Sequence, residues 1–304
     1  MTGEFVLATR GSELARVQAR IVAEKLAAAC RALVVHEEII RTIGDRHSEQ
    51  SLASMGSSGV FTRELEQAVM DGRAAAAVHS LKDLPVELPR GLVLGAVLER
   101  GNPGDVLVSA RPGGVDGLPE GATIGTGSPR RRAMMLALRN NLSVVAIRGN
   151  VPTRLGKVAG GDYDAVILAA AGLERLDLAT KGVLEVDGMM LHATPLETFL
   201  PAPGQGAIAV EVRVDDERAR EIAGRINHPE SEAEVRAERA VLAALGGGCH
   251  LALGARGRVD GSILHLEAVV FDDSGGAPKH AALAAGCDDP ESLGRTLAAK
   301  LHGG

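Results

Sequence analysis

Aromatic side chains are scarce in this chain of 304 residues, which has no Trp, one Tyr and four Phe. Its core must therefore be built from aliphatic residues and Ala. Proteins that bind single-stranded nucleic acid stack bases on aromatic rings, so that kind of surface is not expected here. The net charge of −6 also argues against a general nucleic-acid binder.

Cysteines are few and long apolar runs are absent. Cys30, Cys249 and Cys287 are too scattered for a disulfide framework or a zinc cluster. No apolar run reaches the length of about 20 residues that a membrane helix needs. Residues 1–12 lack the charged-then-apolar order of a signal peptide. These absences predict a protein of the reducing cytoplasm, with no membrane partner and no metal site.

Lysine is also scarce, since six Lys stand against 27 Arg. This excess can reflect the base composition of the genome. It can also reflect the use of Arg, whose planar fork binds carboxylate or phosphate groups. The positions of the arginines must decide between these two interpretations.

The order of predicted elements indicates an α/β protein. Short apolar strands alternate with amphipathic helices from residue 5 to residue 212, which favours mostly parallel sheets covered by helices. Segments rich in Gly and Pro at 99–105 and 201–206 are expected to cross between two domains. From residue 217 onward, two charged helices, three strand-like runs and a last helix predict a small α+β domain.

Loops that follow predicted strands carry most of the candidate chemistry. Ligands of open α/β sheets gather at the carboxyl ends of the strands, and helix starts favour anions. Five such loops contain Arg or Lys, at 10–12, 79–83, 125–132, 148–150 and 171–175. Several basic side chains in one cleft imply a ligand with several negative charges.

Each basic candidate also has an ordinary structural interpretation. The run Arg130-Arg131-Arg132 is unfavourable for the dipole at a helix start, and at most two of its members can face one ligand. Arg148 can form a salt bridge instead, and Arg175 can lie on the surface of its helix. Arg154, one helical turn further along, can face the same cleft as Arg148.

Two further residues have the chemistry of catalytic groups. Asp83 follows a buried strand beside Lys82, where a carboxylate can accept ligand N–H groups, stabilise a cation or move a proton. It can also cap a helix or pair with Lys82. Cys249 follows three glycines, which leave room around its sulfur. It is a candidate nucleophile or attachment point, or else a packed thiol. His79 is interpreted as a core histidine.

Eight short segments together resemble the porphobilinogen deaminase (hydroxymethylbilane synthase) family. They occur in the family's order over almost the whole chain, and this order is far more specific than any one segment. They are ATRGS (8–12), FTRELE (61–66), HSLKDLP (79–85), GTGSPRR (125–131), IRGNV (147–151) with Thr153-Arg154, AGLER (171–175), PGQG (203–206) and GGC (247–249).

The resemblance implies a three-domain α/β fold. Two domains like those of periplasmic binding proteins, 1–98 with 199–215 and 103–194, would enclose a cleft. A small α+β domain, 217–304, would carry the cysteine loop. The resemblance also implies a monomer. The Ser- and Gly-rich segment 51–59 is predicted to be a mobile loop.

The implied activity is that of a transferase. Four porphobilinogen molecules would be condensed head to tail with release of ammonia, giving hydroxymethylbilane for tetrapyrrole and haem biosynthesis. The chain would grow on a dipyrromethane cofactor that is joined to Cys249 by a thioether. Each pyrrole bears an acetate and a propionate, which accounts for a cleft rich in Arg within an acidic protein.

The resemblance also implies a role for each matching site residue. Asp83 would be catalytic, stabilising positive charge and relaying protons. Cofactor and substrate would be held by Arg10, Ser12, Ser80, Lys82, Thr126, Ser128, Arg130, Arg131, Arg148, Gly149, Arg154 and Arg175.

Two other functions are compatible with parts of the chain. An anion-binding module without catalysis would show similar first and second domains, but the third domain with Cys249 argues against it. A phosphate-handling transferase would use residues 125–128 as a nucleotide loop. The Lys of a P-loop is missing there, which argues against this alternative.

Overall fold

The computed structural model describes residues 2–42, 62–247, 251–271 and 277–303. Strands and helices are numbered below in chain order. The predicted attachment residue Cys249 and the predicted loop 51–59 lie outside the described residues. The three-part α/β fold class expected from the sequence is confirmed, with two sheet-and-helix units followed by a small α+β unit.

The first domain is built on a five-stranded sheet in the order β2-β1-β3-β11-β4. Strand β1 runs parallel to β2 and β3, whereas β11 lies antiparallel between β3 and β4. Its strands are β1 (Thr2–Arg10), β2 (Ala32–Ile40), β3 (Ala76–Ser80), β4 (Leu92–Val97) and β11 (Ile208–Arg213). Helix α1 (Glu13–Ala29) packs with Phe5 and Leu7 of β1, whereas α2 (Arg63–Met70) packs with Ala8, so the two helices cover opposite faces of this sheet.

The second domain is built on a six-stranded sheet in the order β7-β6-β8-β5-β10-β9. Strand β6 runs parallel to both β7 and β8, whereas the pairs β8–β5, β5–β10 and β10–β9 are antiparallel. Its strands are β5 (Asp105–Ser109), β6 (Thr123–Gly125), β7 (Ser143–Val145), β8 (Ala165–Ala169), β9 (Gly182–Val186) and β10 (Met189–Pro195). Its helices are α3 (Pro129–Leu138), α4 (Val151–Ala159) and α5 (Ala170–Arg175).

The expectation of mostly parallel sheets is wrong, because both sheets are mixed. The chain returns to the first domain through β11, which enters the sheet in the opposite direction to β3. In the second domain, β9 and β10 form a hairpin that the sequence analysis did not predict. Its turn is Asp187-Gly188, with φ of 50° and 78°, so both residues adopt the left-handed conformation of a two-residue hairpin turn.

Helix starts agree closely with the sequence patterns. Ser128 caps α3 by accepting the N–H of Arg131 at 3.4 Å, and Pro129 occupies the first turn as predicted. Asn150 caps α4 by accepting the N–H of Thr153 at 2.9 Å. Such caps typically contribute about 1 kcal/mol each. Helix α5 begins three residues earlier than the predicted start at residue 173, directly after β8.

The third domain packs two helices on one antiparallel sheet. Strands β12 (Ala252–Asp260), β13 (Ile263–Phe271) and β14 (Lys279–Gly286) lie in chain order. Helices α7 (Pro229–Ala244) and α8 (Pro290–Gly303) cover them. Aliphatic side chains form the core, as the scarcity of aromatics requires.

Helix α6 (Glu217–Gly224) lies on the first domain, although the sequence analysis placed it in the third. Its buried residues Ala219, Ile222 and Ala223 pack with Phe5 and Val22. The apolar side of this short helix therefore completes the first core. Among the described ranges, no helix is both long enough and apolar enough to cross a membrane.

The two crossing segments touch each other between the domains. The N–H of Gly101 donates to the carbonyl of Gly206 at 3.1 Å. Gly206 has a φ of +89°, and a Cβ there would lie 2.5 Å from the Gly101 oxygen. Only glycine allows this approach. This contact between the crossing segments places the end of β3 and the start of β11 beside loops of the second domain.

Candidate active site

A cleft between the first and second domains brings together five of the predicted site residues. Ser80 and Lys82 come from the first domain, and Arg131, Arg154 and Arg175 come from the second. The remaining lining is mostly small or apolar, and consists of Leu14, Gln18, Val151, Leu168, Ala169, Ala171, Gly172, Gly206 and Ala207. Both domains therefore contribute cations to one cavity.

Lys82 lies in a single 3-10 turn, Leu81–Asp83, which follows the buried strand β3. Leu81 is fully buried and anchors this turn. Lys82 as a whole is exposed, and its Nζ lies 3.3 Å from Gln205 Oε1 at the cleft. Desolvation, followed by the charge of Arg131, lowers the pKa of Lys82 to about 8. The ammonium is thus a cation that can release its proton slightly above neutral pH.

Asp83 is exposed at the end of the same turn. Within the described part of the chain, no hydrogen bond or salt bridge engages its carboxylate. Its charge nevertheless acts on its neighbours, because it favours the charged forms of both Lys82 and Arg154. The carboxylate is therefore available to accept hydrogen bonds from a ligand beside the cationic cleft.

Arg130 and Arg131 share one buried carboxylate, that of Asp105. Arg131 donates to Asp105 Oδ1 through Nε at 3.0 Å and Nη2 at 2.7 Å, and Arg130 Nη1 donates to Oδ2 at 2.6 Å. Burial alone would raise the pKa of Asp105, but Arg131 and Arg130 hold it well below its usual range. One carboxylate facing two guanidiniums leaves a net positive charge at this point.

The two arginines nevertheless differ in position. Arg131 lines the cleft, whereas Arg130 does not; its Nη1 also donates to the carbonyl of Leu200 at 2.6 Å. Arg130 was predicted to hold ligand, and the structure places its guanidinium among protein acceptors. Arg132, which follows the matched segment 125–131, is exposed, and its Nη1 donates to the carbonyl of Val144.

The loop before α4 holds three predicted residues. Arg154 Nε donates to the carbonyl of Gly149 at 2.8 Å. Desolvation, then the charges of Arg131 and Arg148, lower the pKa of Arg154 to about 10. Gly149 has a φ of +108°, and a Cβ there would lie 2.7 Å from Thr153 Cγ2, so glycine is required. Arg148 is half-buried, and no salt bridge engages it within the described ranges.

Arg175 is not a simple surface residue of α5. Its Nη2 donates to the carbonyl of Gly206 at 2.6 Å, and burial lowers its pKa. Because Gly206 lies in the second crossing segment, this bond joins the second domain to that segment. It also fixes one edge of the guanidinium toward the cleft.

The predicted hydroxyl residues mostly organise the backbone. Ser12 Oγ caps α1 by accepting the N–H of Ala15 at 3.4 Å, and Thr126 Oγ1 accepts the N–H of Ser128 at 3.1 Å. Ser80 Oγ lies 2.9 Å from Gln18 Nε2 and lines the cleft. Arg10 is half-buried at the end of β1.

Sequence reasoning missed three polar residues of the site: Gln18, Asp105 and Gln205. Gln18 lies one helical turn after Leu14, and both line the cleft. Asp105 could have been sought as the counter-charge of the arginine run. Gln205 lies within the PGQG segment, whose glutamine received no role.

A cleft between two α/β domains, with cations from both and an exposed carboxylate beside it, suits small ligands that carry several negative charges. The chain belongs to the porphobilinogen deaminase family. The family model "Porphobilinogen deaminase, dipyromethane cofactor binding domain" matches residues 5–221, and the model of its C-terminal domain matches residues 232–303. These proteins are transferases of tetrapyrrole biosynthesis with a dipyrromethane cofactor.

Curated relatives match along nearly the whole chain. Porphobilinogen deaminase of Rubrobacter xylanophilus is 47% identical over 99% of this chain and 94% of its own length. The enzyme of Desulforudis audaxviator is 44% identical over 99% of this chain and 95% of its own. Among solved structures, the BvgS VFT2 domain of Bordetella pertussis is distant, with 16% identity, coverage of 73% and 86%, and a TM-score of 0.43.

Proposed function

We propose that this chain condenses four porphobilinogen molecules head to tail, with release of ammonia, to form hydroxymethylbilane. The observation that carries the proposal is the group of cations from both domains around one cleft, with the exposed carboxylate of Asp83 beside it. Each porphobilinogen brings an acetate and a propionate. A growing chain therefore needs more cationic donors than one isolated ion pair can supply.

The residues present suit a dipyrromethane group. Its carboxylates would meet Lys82, Arg131, Arg154 and Arg175, and its pyrrole N–H groups would meet the Asp83 carboxylate. When bound, the group supplies the pyrrole carbon to which porphobilinogen units are added. We propose that Cys249 holds it through a thioether.

The other matched residues complete the proposed site. Arg130 would act indirectly, because it shares Asp105 with Arg131 and so supports that side chain. Direct or backbone-organising roles in holding the ligand are proposed for Arg10, Ser12, Ser80, Thr126, Ser128, Arg148 and Gly149.

Asp83 is proposed as the catalytic carboxylate. Loss of ammonia from porphobilinogen leaves a cation that is delocalised over the ring nitrogen. A nucleophilic pyrrole carbon then bonds to the methylene carbon of this cation and loses its proton. A carboxylate that accepts the pyrrole N–H stabilises the positive charge and can accept that proton. The surrounding cations hold the acid side chains, so that the two reacting carbons are kept close together.

The covalent link gives a direct test. Protein purified from cells that make porphobilinogen should exceed its sequence mass by two pyrrole units. Cys249→Ser should have the bare mass, while the matched variant Cys287→Ser should keep the added mass. A wild-type mass equal to the bare sequence would contradict the proposal, because neither the anion-binding nor the phosphate-transfer alternative predicts an adduct.

We further propose that the enzyme works in the cytoplasm as a monomer, with porphobilinogen as its partner and without nucleic acid or membrane. Cys30 and Cys287 are both free thiols, which suits a reducing compartment. The cleft is formed by two domains of one chain. The proposed domains are 1–98 with 199–215, 103–194 and 217–304, except that 217–224 packs with the first. Light scattering would test the monomer.

A further inference from the structure

Gln205 is a buried side chain whose amide contacts both domains. It lies in the second crossing segment and is 1% exposed. Its Nε2 donates to the carbonyl of Pro103 at 2.7 Å and to Asp105 Oδ1 at 2.8 Å. Its Oε1 accepts from Lys82 Nζ at 3.3 Å and from Arg131 Nη2 at 3.4 Å. One amide therefore joins a cation of the first domain to a cation of the second.

The charges around Gln205 allow only one orientation of its amide. Oxygen atoms of Pro103 and Asp105 surround Nε2, and two cationic donors surround Oε1. A flipped amide would place oxygen against oxygen and NH₂ against Lys82 and Arg131. The side-chain carbonyl of Gln205 therefore points its dipole toward both cations.

This carbonyl offsets the repulsion between two cations that face the same cavity. Lys82 and Arg131 both line the cleft. Arg131 is already engaged by Asp105 and by the carbonyl of Ile167 at 2.8 Å. An ammonium has three N–H donors, so Lys82 keeps two for a ligand after bonding to Gln205.

We infer that Gln205 is a positioning residue, which holds Lys82 and Arg131 together across the cleft as one carboxylate-binding pair. Because its members come from different domains, the pair is complete only when both domains contact the second crossing segment. The inference rests on the proposed function only for the identity of the carboxylate, an acetate or propionate of porphobilinogen.

The ionisation of Lys82 reports on this arrangement. Its charge is influenced by Arg131 and Arg130 of α3, by Asp83 of its own turn and by Asp105 of β5. Arg154 of α4 and Arg175 of α5 line the same cavity. An acceptor beside an ammonium favours its charged form. Loss of the Gln205 carbonyl should therefore lower the pKa of Lys82, and a carboxylate at that position should raise it.

The test is a pH titration of holoenzyme labelled with ¹³C-lysine. The chain has six lysines, so the spectrum is simple, and Lys82→Arg identifies the relevant signal. The midpoint of the wild-type signal is the reference for both variants. Gln205→Met should lower this midpoint and Gln205→Glu should raise it, each by about one pH unit, the size expected for one hydrogen bond to a charged group.

A surface variant separates a local effect from a change in net charge. Gln67→Glu adds the same negative charge on an exposed position of α2 and should leave the midpoint unchanged. Far-ultraviolet circular dichroism would establish that each variant is folded. If Gln205→Met does not fold, Gln205→Asn, whose shorter side chain withdraws the carbonyl from Lys82, takes its place, and an unchanged or raised midpoint overturns the inference. Two folded variants with equal or same-direction shifts would also overturn it.

The activity of the same variants gives a second readout. Loss of a carboxylate-binding pair should raise KM for porphobilinogen in Gln205→Met by about tenfold or more, as for one charged hydrogen bond. Failure of the proposed function would appear as a missing mass adduct, with the opposite NMR shifts still present. Failure of the Gln205 inference would leave the adduct in place and abolish those shifts.

Discussion

The guanidinium of Arg100 donates two hydrogen bonds to the carboxylate of Glu238, at 2.6 and 3.0 Å. The same carboxylate accepts the N–H of Gly204 at 2.7 Å and the N–H of Gly257 at 2.6 Å. Burial alone would lower the pKa of Arg100, but Glu238 and Glu234 raise it. One buried carboxylate of α7 thus ties the third domain to both crossing segments.

Removing this carboxylate should destabilise the protein strongly. Glu238→Ala removes the two shortest carboxylate contacts of the buried Arg100 guanidinium and the acceptor of two buried N–H groups, which should cost about 3–5 kcal/mol. Urea unfolding measures the loss. The control is Glu291→Ala, which breaks the partly exposed pair with Arg236 and should cost less than about 1 kcal/mol. Equal losses in both variants would contradict the assignment.

Asp105→Asn should reduce stability in a way that depends on pH. The folded pKa of Asp105 is depressed, so its stabilising contribution is present above the unfolded value of about 3.9 and is lost as pH falls toward the folded value. The difference in unfolding free energy between wild type and variant should therefore be largest near neutral pH and shrink progressively below about pH 4. A difference that stays constant from pH 7 to pH 3 would be inconsistent with this pairing.

Asp83→Ala should abolish most turnover without unfolding the protein, since this side chain is exposed. A positioned carboxylate of this kind typically contributes about 100- to 10,000-fold. Single-turnover release of ammonia measures the effect. Asp116→Ala removes an exposed carboxylate outside the cleft and serves as the matched control. Turnover close to wild type in Asp83→Ala would remove this residue from the mechanism.

Arg148→Ala should weaken the binding of the ligand's carboxylate groups. Its half-buried guanidinium would pair with a ligand carboxylate, and loss of one charge-assisted bond should raise KM by about 10- to 100-fold or prevent cofactor assembly. Steady-state kinetics and intact mass together distinguish the two outcomes. Arg111→Ala, at an exposed position of the same domain, should change neither. Unchanged product formation in Arg148→Ala would refute the carboxylate role.

Glu66→Gln should stabilise the protein at neutral pH. Burial raises the pKa of Glu66, and the charge of Glu211 adds to the effect. A raised folded pKa means that stability falls as pH rises from the unfolded value through the folded one. The Tm of the variant should exceed that of wild type at pH 7.5 and match it below the unfolded value of about 4.3. A lower Tm at pH 7.5 would contradict this account.

The order of helices and strands could largely be predicted from the sequence, because apolar periodicity and caps are local. Ser128-Pro129 marked the start of α3, and the buried run before Asp83 marked β3. The sequence also contained a signal for the unpredicted hairpin of β9 and β10. Asp187-Gly188 stands between two strands, the pair most typical of a two-residue hairpin turn.

Which basic side chains face the cleft was decided only by the tertiary structure. Arg130 and Arg131 are neighbours in sequence, yet Arg131 lines the cavity while Arg130 turns to Leu200. The mixed sheets and the position of α6 likewise depend on contacts with distant residues.

The sequence by itself determined the local elements and the strand ends that carry charge. The fold selected partners across more than 100 positions, as in the buried salt bridge between Arg100 and Glu238. The physical reason is that a buried charge is stable only beside its counter-group. Chain topology, and not sequence proximity, brings the two together.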